Sequence, residues 1–125
     1  MALSNAEVAR AFSGHRFEET FDRLAAEVTW RLVGATTLDG REAVVAACRD
    51  TAELLAGTTT SWPRFVSAGS DDVVAVDVIA RYENAEGTSV VSSCDIYEFD
   101  GATIRAITSY TVEIGQSESG EPAQP

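Results

Sequence analysis

Two aspartates interrupt stretches of this chain that otherwise have every reason to be buried. Asp95 stands in the alternate set Val91, Ser93, Asp95, Tyr97, Phe99, mostly apolar or aromatic, within a segment that reads as a strand. A carboxylate facing such surroundings resists ionisation. Its pKa rises, and near neutral pH it can donate a proton or a hydrogen bond. Asp77 interrupts residues 73–80, whose other members are Val, Ala and Ile, so the segment reads as a strand buried on both faces. An unpaired buried carboxylate costs roughly several kcal/mol, so Asp77 requires a partner. If the strands pair as a meander, Asp77 and Asp95 share one face, with Arg81 further along it. Two carboxylates in a dry site split their pKa values, which suits proton shuttling on a carbonyl substrate. Each also has a structural reading. Asp95 can accept hydrogen bonds from a loop or helix end, and Asp77 can sit on the outer face, paired with an Arg of an adjacent strand or lying at a dimer interface.

Other chemistry is sparse. His15 is the single histidine and falls in the Gly14–Arg16 turn, which places it towards solvent. No sequence cue sets a histidine beside Ser109, so a serine nucleophile is not expected. No spacing of His, Cys, Asp and Glu suggests a metal site, and no cofactor is expected. The two cysteines, Cys48 and Cys94, form no CxxC pair and read as reduced core residues of a cytoplasmic protein.

The elements that must position these groups follow from local signals. Ser4 to Glu7 is a capping box, and Leu3 with Val8 forms a hydrophobic staple, so a helix starts there with Val8, Ala9 and Phe12 as its apolar stripe. Phe17, Phe21, Leu24 and Ala25 recur at helical spacing and predict a second helix over 16–26. Residues 28–32 alternate as a strand, and 34–38 are turn-prone. Asp39 reads as the N-cap of a third helix, with Val44, Cys48, Ala52 and Leu55 on one stripe and Gly57 as its stop. Residues 62–68, 73–82, 90–99 and 103–114 read as strands, and 115–125 as a disordered tail. In the last strand the even set Ile104, Ala106, Thr108, Tyr110, Val112 and Ile114 is the more apolar.

The whole is an α+β domain over 1–114: three N-terminal helices packed on a strongly curved antiparallel sheet, forming a cone with an internal pocket. A length of 125 residues suffices for one core. The formal net charge is −11, and all nine basic residues are Arg. Such a surface repels phosphate backbones and anionic lipid, which argues against nucleic acid or membrane partners.

Three stretches carry a family resemblance. Residues 12–30, the run Leu38-Asp39-Gly40-Arg41-Glu42-Ala43, and residues 94–101 with Ile104-Arg105 and Ser109-Tyr110-Thr111 resemble the SnoaL-like branch of the nuclear transport factor 2-like superfamily. The resemblance implies that Trp30, Leu32, Tyr97 and Phe99 line a pocket, with Ser109 and Tyr110 as further ligand contacts. It points Ile107, Ser109 and Thr111 inward, leaving the even set for a homodimer through the outer sheet face. In the steroid isomerases that the Asp95 region resembles, the matching aspartic acid lies in the oxyanion hole. The catalytic sets of the superfamily are nevertheless incomplete here. The first-strand general base falls at about Leu32, the first-helix tyrosine near Val8, and the final-strand aspartate of cyclases and epoxide hydrolases at Ser109. The expected function is binding of a small apolar molecule, with isomerase, cyclase or dehydratase chemistry at Asp95 and Asp77. The alternative is a non-catalytic dimerisation or interaction module whose cavity is filled by its own side chains.

Overall fold

The computed structural model describes residues 2–118. In chain order these form α1 (Asn5–Ser13), a 3₁₀ helix (Phe17–Arg23), β1 (Leu24–Leu32), β2 (Thr36–Asp39), α2 (Arg41–Leu54), β3 (Thr59–Gly69), β4 (Val73–Asn84), β5 (Gly87–Asp100) and β6 (Thr103–Glu118). The capping box is present as expected: Ser4 Oγ accepts from the Glu7 amide at 3.1 Å, and Glu7 Oε1 accepts from the Ser4 amide at 2.9 Å. Val8, Ala9 and Phe12 are buried along α1.

The predicted second helix is replaced by a 3₁₀ turn and the beginning of β1. Leu24 and Val28 are both buried on β1, as residues four apart on a strand share one face, and the pairing of β1 with β6 slips between Leu24 and Thr29. A spacing of four is common to one face of a helix and one face of a strand, so it does not by itself tell the two apart. Residues 36–38, expected within a turn, and Asp39, expected as a helix N-cap, form β2, which pairs with β1 through Thr29↔Asp39. Asp39 is thereby committed to the sheet. Gly40 is the residue before α2, with φ 93° and no side-chain cap, and its amide donates to Val28 O at 2.8 Å. The chain leaves a strand and enters a helix across this one residue, a backbone that glycine adopts without strain. Along α2, Val44 and Cys48 are buried but Ala52 is exposed.

The sheet has the order β2-β1-β6-β5-β4-β3. It is mixed rather than antiparallel, since β1 and β6 run parallel while the other neighbouring pairs are antiparallel. Three successive reversals leave β6 antiparallel to β3. Its direction relative to β1 therefore depends on the way the α2 connection delivers the chain to β3, which no local pattern records. Pro63, lacking an N–H, sits on the edge strand β3, where the register slips between Ser61 and Arg64.

A bulge decides the facing of β6. Phe99 pairs with Ile104 but Glu98 pairs with Ala106, so Arg105 is an extra residue. Ile104 and Ile107 are consequently both buried, and the inward set continues as Ser109. Neither parity holds along the whole strand. β6 also continues past 114, pairing as far as Gly87↔Glu118, where a frayed tail was expected. The remaining tail residues, 119–125, lie outside the described residues.

The core forms where α1 and α2 cover one face of the sheet. Val8, Phe12, Val28, Val44, Val76 and Tyr97 meet there almost without exposure. Each such side chain contributes roughly 1.5–3 kcal/mol by leaving water. Of the two cysteines, Cys48 belongs to this core, whereas Cys94 is half-buried on the opposite face. Burial pushes the Cys48 thiol up to about 12. No helix among the described residues is long and apolar enough to cross a membrane.

Candidate functional site

Asp95 points inward from the middle of β5, opposite Ser109 of β6, and lines a cavity of about 290 Å³. Both of its oxygens accept short hydrogen bonds. Ser109 Oγ donates to Oδ1 at 2.6 Å, and Ser13 Oγ donates to Oδ2 at 2.7 Å. Each serine is itself held. Trp30 Nε1–H donates to Ser109 Oγ at 2.9 Å, and the Tyr97 hydroxyl lies 2.6 Å from Ser13 Oγ. An indole N–H can only donate, so Ser109 receives that bond and spends its own hydrogen on Asp95. The same ordering on the other side runs from Tyr97 through Ser13 to Asp95. Two converging relays thus end on one carboxylate, with no arginine in the arrangement.

The electrostatics follow from that setting. Burial raises the Asp95 pKa above its ordinary value, and the Ser109 and Ser13 hydrogen bonds pull it partly back. Tyr97 is wholly buried, and burial followed by the Asp95 charge pushes its hydroxyl well above the usual tyrosine range. It therefore stays a neutral donor.

The cavity has a second polar position. His15 has φ 64°, a left-handed backbone that few non-glycine residues take. Its ring packs against Phe17, Trp62 and Tyr82, with centroids 5.3, 5.2 and 6.0 Å away. His15 Nε2 lies 2.9 Å from the Tyr82 hydroxyl, and both residues line the cavity. Burial lowers the His15 pKa, so the ring is neutral near pH 7. The Tyr82 pKa is raised by burial and, secondarily, by the Asp95 charge. His15 thus faces the interior rather than solvent, as its place in a turn had suggested.

The expected site divides in two. Asp95, Trp30, Leu32 and Ser109 come together around the cavity. Asp77 does not, because Val74, Val76, Val78 and Ala80 are the inward residues of β4 and Asp77 takes the opposite parity. Its carboxylate accepts from Arg64 Nε at 2.7 Å on the outer face, with both side chains half-exposed. The two aspartates therefore cannot act as a pair. Arg81 shares the outer parity and approaches Glu83 at 3.5 Å. Tyr97 and Phe99 are core residues beneath the cavity, Tyr97 reaching the site only through Ser13. Tyr110 faces outward and is 44% exposed. Ser13, His15 and Tyr82 carried no signal as site residues in sequence: a serine closing a helix, a histidine in a turn and a tyrosine ending a strand are all ordinary. Among the described residues no cluster of His, Cys, Asp or Glu is arranged to hold a metal ion.

No family model and no curated protein matches the chain. Its fold recurs widely among solved structures. It is similar to a nuclear transport factor 2-like protein of unknown function from Cytophaga hutchinsonii, with TM-score 0.73 and 26% identity over 84% of this chain and 93% of that one. A candidate polyketide cyclase from Pseudomonas putida aligns with TM-score 0.66 and 11% identity over 86% and 91% of the two chains. An LEH-like epoxide hydrolase of M. tuberculosis gives 0.64 and 14% over 86% and 82%. Likeness at the last two identities carries the fold alone.

Proposed function

Proceeding from a chain with the nuclear transport factor 2-like fold of SnoaL-like proteins, we propose that it binds a small, largely apolar carbonyl compound beside Asp95. Asp95 then serves as the single proton-transfer group, in an isomerase, cyclase or dehydratase reaction. One observation carries this reading: a part-buried carboxylate, unpaired with any cation among the described residues, lines an open cavity with largely apolar walls. A carboxylate held above its ordinary pKa is a better base than one in water, and its conjugate acid persists long enough to return the proton. With Asp77 outside, the shuttle needs one group rather than two: Asp95 removes a proton beside the carbonyl and delivers it elsewhere on the same molecule.

A second reading, binding without chemistry, draws on a different observation. Both Asp95 oxygens are already occupied by serine hydroxyls, an arrangement that favours the ionised form and holds it still. Hydrogen–deuterium exchange separates the two. Aromatic and polyketide-like ketones that raise the thermal midpoint are incubated with protein in deuterated water, and loss of their α-C–H signals is followed by NMR. Exchange accelerated by wild type and abolished in Asp95→Asn supports proton transfer. Binding with no exchange, or exchange that survives the substitution, removes Asp95 from any mechanism.

The outer face of the sheet presents Tyr110, Val112 and Ile114 at 44, 60 and 46% exposure. This reading includes a second copy of the chain as its cover.

A further inference from the structure

His15 combines three features that packing alone does not require. Its backbone occupies the left-handed region at φ 64°, its ring is enclosed by aromatic side chains, and its Nδ1 is buried with no hydrogen-bond partner among the described residues. Among the described residues the ring's one polar contact is with the Tyr82 hydroxyl. Since the ring is neutral, it has a single N–H to place. Putting that hydrogen on Nδ1 would bury a donor with nothing to accept it, which carries the full desolvation cost of that group. Putting it on Nε2 leaves only a bare lone pair at Nδ1 and makes His15 the donor to Tyr82 Oη. The tyrosine oxygen is then an acceptor towards His15, and its own O–H is free to turn into the cavity that Tyr82 lines.

We infer that Tyr82, oriented by His15, is the hydrogen-bond donor that selects ligands carrying an acceptor oxygen, so the cavity discriminates a ketone from a hydrocarbon of the same shape. The inference rests on the cavity reading above and adds to it the residue that reads the carbonyl. Tyr82 is the contacting residue and His15 a positioning residue. Asp95 lines the same cavity, so a carbonyl compound held by its oxygen at Tyr82 presents the rest of its skeleton to the remaining walls.

The test uses 1-indanone and indane as probes, which differ by one carbonyl oxygen, with affinities measured by NMR titration. The informative quantity is the ratio of the two affinities, since it cancels the shared apolar contribution. In Tyr82→Phe that ratio should shift against the ketone by about five- to tenfold, the worth of one hydrogen bond of roughly 1–1.5 kcal/mol. His15→Gln retains an N–H near the Nε2 position and should keep most of the wild-type ratio, whereas His15→Leu should approach Tyr82→Phe. In the wild-type protein, carbonyl-labelled 1-indanone should show a downfield ¹³C shift on binding, a readout independent of how the variants fold. A ratio unmoved by Tyr82→Phe, equal ratios in the two His15 variants, or an unshifted carbonyl overturns the inference while leaving the cavity reading intact. If neither probe binds wild type, the cavity reading fails and this inference goes with it.

Discussion

At the scale of single residues, the balance at Asp95 is between burial, which penalises its charge, and two serine hydroxyls, which favour it. Burial prevails, so the folded chain holds this proton more tightly than the unfolded chain does. Stability associated with Asp95 is then fully present below its ordinary pKa and is lost as pH rises through the raised, folded value. Denaturation of wild type against Asp95→Asn, from pH 4 to 8, should show the difference moving in favour of the variant as pH increases. A difference that stays flat with pH would mean that the carboxylate is not held protonated by its surroundings. Ser13→Ala removes one of the two stabilising donors and should raise the Asp95 titration midpoint further, seen directly by carboxyl ¹³C NMR.

At the scale of elements, parity along β4 separates the two aspartates. Val76 is the partner of Asp95 across the β4–β5 ladder, while Asp77 is the partner of Cys94 on the other face. Asp77→Asn is therefore expected to cost under about 1 kcal/mol, as for other solvated ion pairs, and to leave any Asp95-dependent exchange unchanged. Gly69 is a different matter. It closes β3 with φ 142°, and an added Cβ would collide with the Val73 carbonyl and sit 2.9 Å from Val74 Cα, both of them backbone. Gly69→Ala should lose about 2–4 kcal/mol by chemical denaturation, since no flexible side chain can move aside. α1 was legible because its start signals lie within six consecutive residues, 3–8. The 3₁₀–β1 junction was not, because the spacing of Phe17, Phe21, Leu24 and Ala25 fits a helix, while the pairing that makes Leu24 a strand residue is with Ile104, eighty residues later.

At the scale of the whole molecule, the chain keeps one face of its sheet under helices and leaves the other to solvent or to a second copy. Val112→Glu places a charge in the middle of that outer face, and sedimentation should report monomer where wild type sediments as a dimer. A wild type that is already monomeric at high concentration would remove the second copy from the account. Arg23 illustrates how the ends are tied together. Its guanidinium donates to Leu3 O, Asn5 Oδ1 and Ala102 O, and Asn5 Nδ2 donates to Asp71 O and Gly101 O. The first turn of the molecule is thereby fastened to two hairpins distant in sequence.

The sequence by itself determined the class of fold, the start of the first helix, the strand-rich second half and the anomalous placing of Asp95. Those properties are written in local periodicity and in the anomaly of one acid among apolar neighbours. Only the tertiary structure decided that Asp77 faces away, that Tyr110 is outside, and that Ser13, His15 and Tyr82 join Ser109 around a cavity. Each of those outcomes turns on strand register, bulge position or the approach of a helix end to a sheet. Such quantities are fixed by contacts between residues tens of positions apart, where no short pattern can encode them.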